Sequence, residues 1–433
     1  MTTLIWSTVV FIAIGVPIGF VLAAAGLLFL ATETPVPLTI VAQRLFSGLN
    51  EFTLMSIPLF ILAGNLMNAT GITERLIAFA ALLMHRVYGG LAQANVAASM
   101  VFGGVSGVAS ADVAAIGTVM IPAMERHGYK REYATCVTLA GSLMGNLIPP
   151  SIPFVIYGVQ AEQSIGSLFA AGVVPGVLIG FTLMALNVVL LKRAGFKNQP
   201  LAVAATPRVV ARSFVSAIVA MVMPLVVIGG IVGGVFTPTE ASGVAAFYGL
   251  VVGGVVFRTL TVAKLIGVLR ETARTSAVVM LIVVASSVLN YALAYSRIPT
   301  IATEGLLGLT NDPVVFTLIV IVILLIVGLP LDPVPGLIIM TPVLLPAATA
   351  YGIDPVHFGV IMVMTLALGL ITPPVGASLF VAAAISGVSL ERMSRGVLPF
   401  LFGLLVLTVF IALFPDISMT LPRLFAPVRG VVP

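Results

Sequence analysis

The stretch GNLIPPS, Gly145–Ser151, interrupts an otherwise apolar segment, Tyr133–Val159. A second stretch, GLITPP, Gly369–Pro374, interrupts the apolar segment Phe358–Ala384 in the same way. Proline lacks a backbone N–H and clashes with the preceding turn, so paired prolines end a helix and free carbonyl groups from helical hydrogen bonds. Each segment is therefore predicted to be a helix that is broken near its middle.

The two stretches belong to an internal repeat. A shift of 224 residues places glycines and prolines of the first half on the same residue types in the second, namely Pro122, Gly128, Gly145, Pro149, Pro150, Gly172 and Pro175 on Pro346, Gly352, Gly369, Pro373, Pro374, Gly396 and Pro399. An odd number of predicted crossings lies between the halves, so the second half is expected to be inverted in the membrane. Inverted repeats with broken helices are typical of secondary transporters.

The composition independently indicates a membrane protein. Of 433 residues, 60% are hydrophobic and 8% are charged, and the mean hydropathy is +1.21. Soluble domains carry about 25% charged residues, so a soluble enzyme, a nucleic-acid-binding protein and a disordered chain are excluded. The net charge of +5 comes from cations in short loops, which is the pattern of cytoplasmic loops. A single cysteine, Cys136, excludes an intrachain disulfide.

Apolar runs of about 20 residues predict membrane spans. Continuous spans are predicted at Leu4–Leu30, Phe52–Ala69, Leu168–Leu191, Phe214–Val235, Ala241–Phe257, Ser276–Tyr295 and Val397–Phe414. The first lacks the basic start of a secretory signal and is predicted to be a retained span.

Other segments carry more charge. Thr39–Leu49 and Arg258–Arg274 are shorter or mixed, so they are predicted to lie in the interface as bracing helices, here called arms. The basic segment Lys192–Arg212 is placed in the cytoplasm.

Two further apolar segments are longer than one span and are also broken. Leu91–Pro122 contains the small-residue run Gly103–Asp112, and Pro313–Pro346 contains the run Gly328–Gly336. Glycine and serine runs are unfavourable inside a helix. Each segment is therefore predicted to form a re-entrant hairpin of two short helices. The two hairpins are predicted to enter the membrane from opposite sides.

The breaks supply the groups from which cation sites can be built. Unwound carbonyls and hydroxyls bind Na⁺, and half-helix N-termini favour anions. The first predicted cation site comprises Ser106, Ser110, Gly145, Asn146 and Pro149, and the second comprises Gly328, Leu331, Asp332, Leu370, Thr372 and Pro374. A substrate anion is expected between the hairpin tips, near Ser106, Ser110, Asn146, Asp332 and Thr372. The alternative is that these glycines and prolines only permit tight helix packing.

Two acidic residues follow the hairpin tips. Asp112 and Asp332 would be costly at membrane depth without a partner, so a role in offsetting a bound cation is one interpretation. The other is that each caps its own hairpin helix. The predicted spans contain no arginine that would bind a carboxylate. The sequence also shows no phosphate loop, nucleophile–base pair or metal motif, so neither an enzyme nor a cofactor is expected.

These motifs resemble the large membrane subunit of TRAP transporters, the DctM-like family of the ion transporter superfamily. The resemblance rests on Val105–Asp112, Gly145–Ser151, Gly328–Asp332 and Leu370–Gly376, and it covers the chain from Phe52 to Phe414. It implies a bacterial or archaeal inner-membrane protein that carries a carboxylate, such as a C4-dicarboxylate or a sugar acid, together with Na⁺ by an elevator movement. It also implies a small four-helix membrane subunit, here a separate chain, and a periplasmic substrate-binding protein as partners, in a lipid environment and without nucleic acid.

The resemblance implies a division of the chain into scaffold and transport parts. Residues 1–90 and 192–312 would form the scaffold and the arms, 91–191 and 313–415 the two halves of the transport domain, and 416–433 a tail. A stand-alone Na⁺- or H⁺-coupled carboxylate carrier is the main alternative. A channel or a purely structural membrane scaffold is a further one, but it gives no reason for two mirrored breaks.

Overall fold

A computed structural model describes residues 2–197 and 207–425, and over these ranges the chain forms twenty α-helices and no strand. The predicted all-α fold is confirmed. The helices of the first half are α1 Thr2–Ala13, α2 Ile18–Glu33, α3 Thr39–Ser47, α4 Ser56–Ala69, α5 Ile72–Met84, α6 Gly90–Ser106, α7 Ala109–Arg126, α8 Arg131–Ser142, α9 Ile152–Gln160 and α10 Ile165–Arg193.

The second half repeats this order. Its helices are α11 Pro207–Val232, α12 Pro238–Val251, which continues as a π-helical turn Val252–Val256, α13 Val262–Tyr295, α14 Ile298–Leu309, α15 Pro313–Gly328, α16 Pro333–Ala350, α17 Pro355–Gly369, α18 Ala377–Ser386, α19 Leu390–Leu413 and α20 Asp416–Phe425. The shift that aligns the sequence also carries α7 onto α16 at both ends. The repeat is therefore structural.

Seven of the helices in the described ranges are long and apolar enough to cross a membrane. Many large apolar side chains face outward, including Phe181, Phe247 and Phe402, each at least 60% exposed. In water such a surface would be unstable, whereas in lipid it meets a solvent as apolar as itself. A polytopic membrane protein is thus confirmed.

The prediction of one continuous span at Leu4–Leu30 is wrong. The chain turns at Gly15, whose φ is +81°, and α1 and α2 pack against each other as a hairpin. Pro17 follows the turn and has no N–H with which to continue α1. The backbone N–H of Thr3 donates to the Glu33 carboxylate at 3.2 Å, which ties the two ends of the hairpin together.

The separation of Arg258–Arg274 from the span Ser276–Tyr295 is also wrong. In the first half, α3 and α4 are separate because the chain leaves the helix at Gly48. The equivalent position in the second half is Thr272, which is no helix breaker, and α13 runs unbroken for 34 residues. The arm and the span are therefore one rigid rod in the second half.

The two halves are packed through each other's hairpins. Helix α7 of the first hairpin contacts α18, and α16 of the second hairpin contacts α9. The Tyr157 hydroxyl on α9 is fully buried and donates to the Pro355 carbonyl at 2.6 Å. These contacts between the two halves bring the two hairpin tips to the same region of the molecule.

Two predicted segments lie partly outside the described residues. Of the basic segment Lys192–Arg212, the structure describes the end of α10 and the start of α11 but not residues 198–206. Of the predicted tail, α20 packs on α10 and α17, whereas residues 426–433 fall outside the described ranges.

Candidate functional site between two hairpin tips

The first hairpin is formed by α6 and α7, with a shorter tip than the sequence predicts. Gly103 and Gly104 remain helical, and only Gly107 and Val108 lie between the helices. A Cβ added at Gly103 would approach the Gly145 nitrogen to 2.9 Å, and one at Gly104 would approach the Pro149 carbonyl to 3.2 Å. These glycines therefore let the hairpin lie directly on the broken helix, which offsets their unfavourable helix propensity.

The first broken helix unwinds where the sequence predicts. Helix α8 ends in a 3₁₀ turn at Leu143–Asn146, and α9 begins at Ile152. Ser151 caps α9 by accepting from the Phe154 N–H at 3.3 Å, and its hydroxyl donates to the Asn146 carbonyl. The chain between these helices is thus irregular yet held in place.

Most of the predicted first cation site comes together at this junction. The Ser106 hydroxyl donates to the Asp112 carboxylate, and Gly145 packs directly on that carboxylate. The Asn146 side-chain oxygen accepts from the Ala109 N–H at 3.2 Å. Ser110 is half-buried one residue further along and faces the cavities described below.

Asp112 has an incomplete set of partners. The residue is fully buried, yet among the described residues its Oδ2 atom has no hydrogen-bond partner and neither has Asn146 Nδ2. No basic side chain in the described ranges lies within 4.0 Å of the carboxylate. Val108 occupies the N-cap of α7, and no side chain caps that helix. The capping interpretation of Asp112 is therefore wrong, and the carboxylate lies buried with one oxygen unpartnered among the described residues.

The second hairpin, α15 and α16, meets its broken helix through two glycines. A Cβ added at Gly369 would lie 2.5 Å from the carbonyl carbon and oxygen of Gly328. Helix α17 ends at Gly369, and the chain is unwound as far as Gly376 before α18 begins. The carbonyl of Leu370 accepts from the Ser378 N–H at 3.1 Å. Backbone thus lies against backbone at this second junction.

The structure brings together only part of the predicted second cation site. Asp332 and Leu370 line one cavity, and Gly328 lies beside them against Gly369. The Thr372 hydroxyl instead donates back to the Leu368 carbonyl in the last turn of α17, at 2.7 Å. Leu331 is buried, and Pro374 is exposed. Neither these two nor Thr372 lines that cavity.

Asp332 differs from Asp112 in its surroundings. It occupies the N-cap position of α16, but its side chain accepts no capping hydrogen bond. The side chain is exposed and faces the cavity between the two tips. The capping interpretation thus fails for both acids, and only Asp332 is accessible to a solute.

A cavity of about 330 Å³ lies where the sequence predicts an anion site, between the hairpin tips. The first hairpin contributes Val108, Ala109 and Ser110, and the second contributes Asp332 to Pro335. Asn146 and Leu370 add groups from the two unwound segments. The volume falls within the range of small-molecule sites.

Helix α13 forms a further wall of this cavity, and it carries residues that are not predicted from the sequence. Glu271, Arg274 and Thr275 face the cavity together with apolar residues of the following turns. The sequence pattern places Arg274 in a separate arm, away from the hairpins. The sequence does contain a signal for this wall of the cavity. One face of a continuous helix would carry, at helical spacing, Glu271, Arg274, Val278 and Ile282.

A second cavity, of about 340 Å³, lies on the other side of the first hairpin tip. Its polar lining includes Asn65, Asn68 and Ser106, and it shares Ser110 and Glu271 with the first cavity. The tip of the first hairpin therefore borders both cavities.

A helical membrane protein whose two halves each supply a hairpin and a broken helix around a central cavity has the architecture of a secondary transporter. The protein family described as "Tripartite ATP-independent periplasmic transporter, DctM component" matches residues 5–417 of the chain. The chain belongs to this family. It is accordingly a multi-pass transport protein of the bacterial inner membrane, and not an enzyme.

Relatives whose names give a substrate match nearly the whole chain. The sialic acid large permease SiaM of Vibrio cholerae is 38% identical over 95% of this chain and 96% of its own. The 2,3-diketo-L-gulonate large permease YiaN of Escherichia coli is 38% identical over 94% and 95%. The C4-dicarboxylate large permease DctM of Pseudomonas aeruginosa is 37% identical over 93% of each chain.

Among solved structures, the fold resembles that of the YdaH transporter of Alcanivorax borkumensis. The TM-score is 0.63 over 96% of this chain and 99% of the other, at 16% sequence identity. At this identity the likeness concerns the fold alone. It agrees with the helical membrane architecture described above.

Proposed function

We propose that this chain is the permease subunit of a Na⁺-coupled uptake system for a carboxylate solute. The observation that carries the coupling is Asp112, a fully buried carboxylate with an unpartnered oxygen at the junction of a hairpin and a broken helix. A buried carboxyl group of this kind is expensive unless a cation accompanies it. Na⁺ held by Asp112, Ser106 and the neighbouring carbonyls would complete the site.

The proposal keeps the second predicted cation site but changes the groups that would bind the ion. Here the carbonyls beside Gly328 and Leu370 would bind the ion, and Asp332, which faces the cavity, would interact with the solute instead. Thr372 and Pro374 lie on the unwound segment and would act through their carbonyls. One ion would lie on each side of the cavity, and each would favour the close packing of a hairpin on its broken helix.

The solute would bind in the central cavity, and transport would follow a displacement of the hairpin-bearing part against the scaffold. The names of the relatives concern sialic acid, 2,3-diketo-L-gulonate and C4-dicarboxylates, which are all carboxylates. We extend the carboxylate class to this chain on that basis. We further propose that a periplasmic binding protein delivers the solute and that a small membrane subunit braces the scaffold.

Na⁺ binding is expected to raise the thermal stability of the purified protein. A ligand at one hundred times its dissociation constant stabilises a folded state by about 2.7 kcal/mol. The unfolding midpoint in detergent should therefore be higher in NaCl than in KCl at equal ionic strength. Ser106→Ala should reduce this difference, because the Ser106 hydroxyl holds Asp112 in place.

Ser47→Ala provides the matched control, since Ser47 is exposed and bonds only within its own helix. It should keep the full difference between NaCl and KCl. Identical midpoints in the two salts for the unmodified protein, at every pH tested, would remove Na⁺ coupling from the proposal and favour protons.

Dependence on a binding protein separates this proposal from a stand-alone carrier. In proteoliposomes that contain the chain with its small subunit, uptake should require both a Na⁺ gradient and the cognate binding protein. Concentrative uptake by this chain alone, without either partner, would instead establish the stand-alone carrier.

A further inference from the structure

The central cavity has an unequal set of charges. Three ionisable side chains line it, and these are Arg274, Glu271 and Asp332. One is a cation and two are acids, so the lining by itself carries more negative than positive charge. The lining thus offers one positive side chain to pair with a carboxylate of the solute.

Arg274 is available to a ligand. Its side chain is exposed, and no carboxylate in the described ranges lies within 4.0 Å of its nitrogen atoms. A guanidinium offers a planar pair of N–H donors that matches the two oxygens of one carboxylate. Arg274 can therefore bind a carboxylate without first breaking an ion pair of its own.

The internal repeat does not supply a second cation. The position equivalent to Arg274 in the first half is Asn50, which is uncharged and exposed in the linker between α3 and α4. Asn50 does not line the cavity. The two halves are thus asymmetric at this point, and within the described ranges only α13 presents a positive side chain to the cavity.

We propose that the cavity selects solutes with one carboxylate and a hydroxyl- or amide-rich remainder over dicarboxylates, and that Arg274 binds the single carboxylate. This inference rests on the proposed function. Glu271 and Asp332 accept hydrogen bonds from hydroxyl or N–H groups of the remainder, as a carboxylate only accepts. Asn146 and Ser110 complete the polar lining.

Glu271 and Asp332 would act against a second carboxylate. A dicarboxylate bound to Arg274 through one end would place its other end in a space whose remaining ionisable groups are both acids. Like charges in a partly desolvated site repel strongly. Specificity of this kind comes from a repulsive element as well as an attractive one.

The proposal is tested by ligand-induced shifts of the unfolding midpoint at fixed Na⁺ concentration and ionic strength. The probes are gluconate and N-acetylneuraminate as monocarboxylates, and succinate and malate as dicarboxylates. The two monocarboxylates should include at least one that stabilises the protein, and the dicarboxylates should have little effect. Arg274→Gln should weaken monocarboxylate binding on the order of 10- to 100-fold, as expected for loss of a charge-assisted hydrogen bond.

Two further variants sharpen the result. Arg270→Gln removes an exposed arginine of the same helix that does not line the cavity, and it should leave monocarboxylate binding unchanged. Glu271→Gln removes one of the two repulsive acids and should let succinate or malate stabilise the protein.

The failure of this proposal is distinguishable from that of the proposed function. Arg274→Gln should keep the Na⁺-dependent rise in the unfolding midpoint, because neither junction contains Arg274. Loss of solute binding with the Na⁺ effect intact supports the proposal. Stabilisation by dicarboxylates equal to that by monocarboxylates, unchanged solute binding in Arg274→Gln, or no shift with any probe up to its solubility would each overturn it.

Discussion

Asp112→Asn is expected to remove most of the Na⁺-dependent part of the protein's stability and to stop Na⁺-driven uptake. The substitution keeps the size of the side chain and an oxygen that accepts from Ser106, but it removes the negative charge. Without that charge, a buried cation at the first junction would have only neutral oxygens as ligands. The difference between the unfolding midpoints in NaCl and in KCl should therefore fall by most of its value.

The same variant should behave in the opposite way without Na⁺. In KCl, the unmodified protein buries a carboxylate that has an unpartnered oxygen, which costs about 1–3 kcal/mol. Asp112→Asn leaves a neutral polar group there, which costs less to bury than a charged one, so its unfolding midpoint in KCl should equal or exceed that of the unmodified protein. A destabilised fold would lower the midpoint in both salts, so the crossover identifies an ion site rather than a structural role.

Asp312→Asn is the matched control for this experiment. Asp312 is exposed and caps α15 by accepting from the Val314 N–H at 2.8 Å. Asparagine caps about as well as aspartate, so both midpoints and the uptake should stay near those of the unmodified protein. If Asp112→Asn retained the full Na⁺ effect, Asp112 would have to be removed from the cation site.

Gly369→Ala is expected to be among the most destabilising single substitutions in the chain. The added Cβ would lie 2.5 Å from the Gly328 carbonyl carbon and oxygen. These are backbone atoms of a helix end, so they cannot rotate away as a flexible side chain could. Overpacking of this kind costs about 1–3 kcal/mol or more. The hairpin formed by α15 and α16 should be pushed off its broken helix.

The measurement is thermal unfolding in detergent combined with the Na⁺ titration. Gly369→Ala should lower the midpoint and also weaken the Na⁺ effect, because the second junction is held open. Gly267→Ala is the control, since Gly267 lies inside α13 with no atom within 4 Å of an added Cβ. It should be neutral or stabilising by up to about 1 kcal/mol, because alanine favours a helix. Equal midpoints for the two variants would show that the glycine contact at the junction is dispensable.

Much of the architecture could be predicted from the sequence because it is set by local chemistry. The paired prolines break their helices wherever they stand, since a missing N–H does not depend on tertiary contacts. The apolar composition requires a lipid environment, and the repeat aligns the ends of α7 with those of α16. The two broken helices, both hairpins and the family follow from these features. The ion ligands named from the sequence, including Asn146 and Thr372, stay predictions.

The tertiary structure decided what local chemistry leaves open. Gly103 and Gly104 stay helical because the backbone of a segment about forty residues away lies against them. Asp112 faces Gly145 and Ser106 instead of capping its helix, and no local rule distinguishes these two outcomes.

Arg274 is the clearest case. The sequence places it among the basic residues of an arm, where it would have faced lipid headgroups. Because α13 continues without a break, the same residue reaches the cavity between the hairpin tips at Val108 and Asp332, which are both distant from it in the chain. Composition and helix breakers are properties of neighbours in sequence, whereas the charge balance of a cavity depends on residues that only the packing of helices brings together.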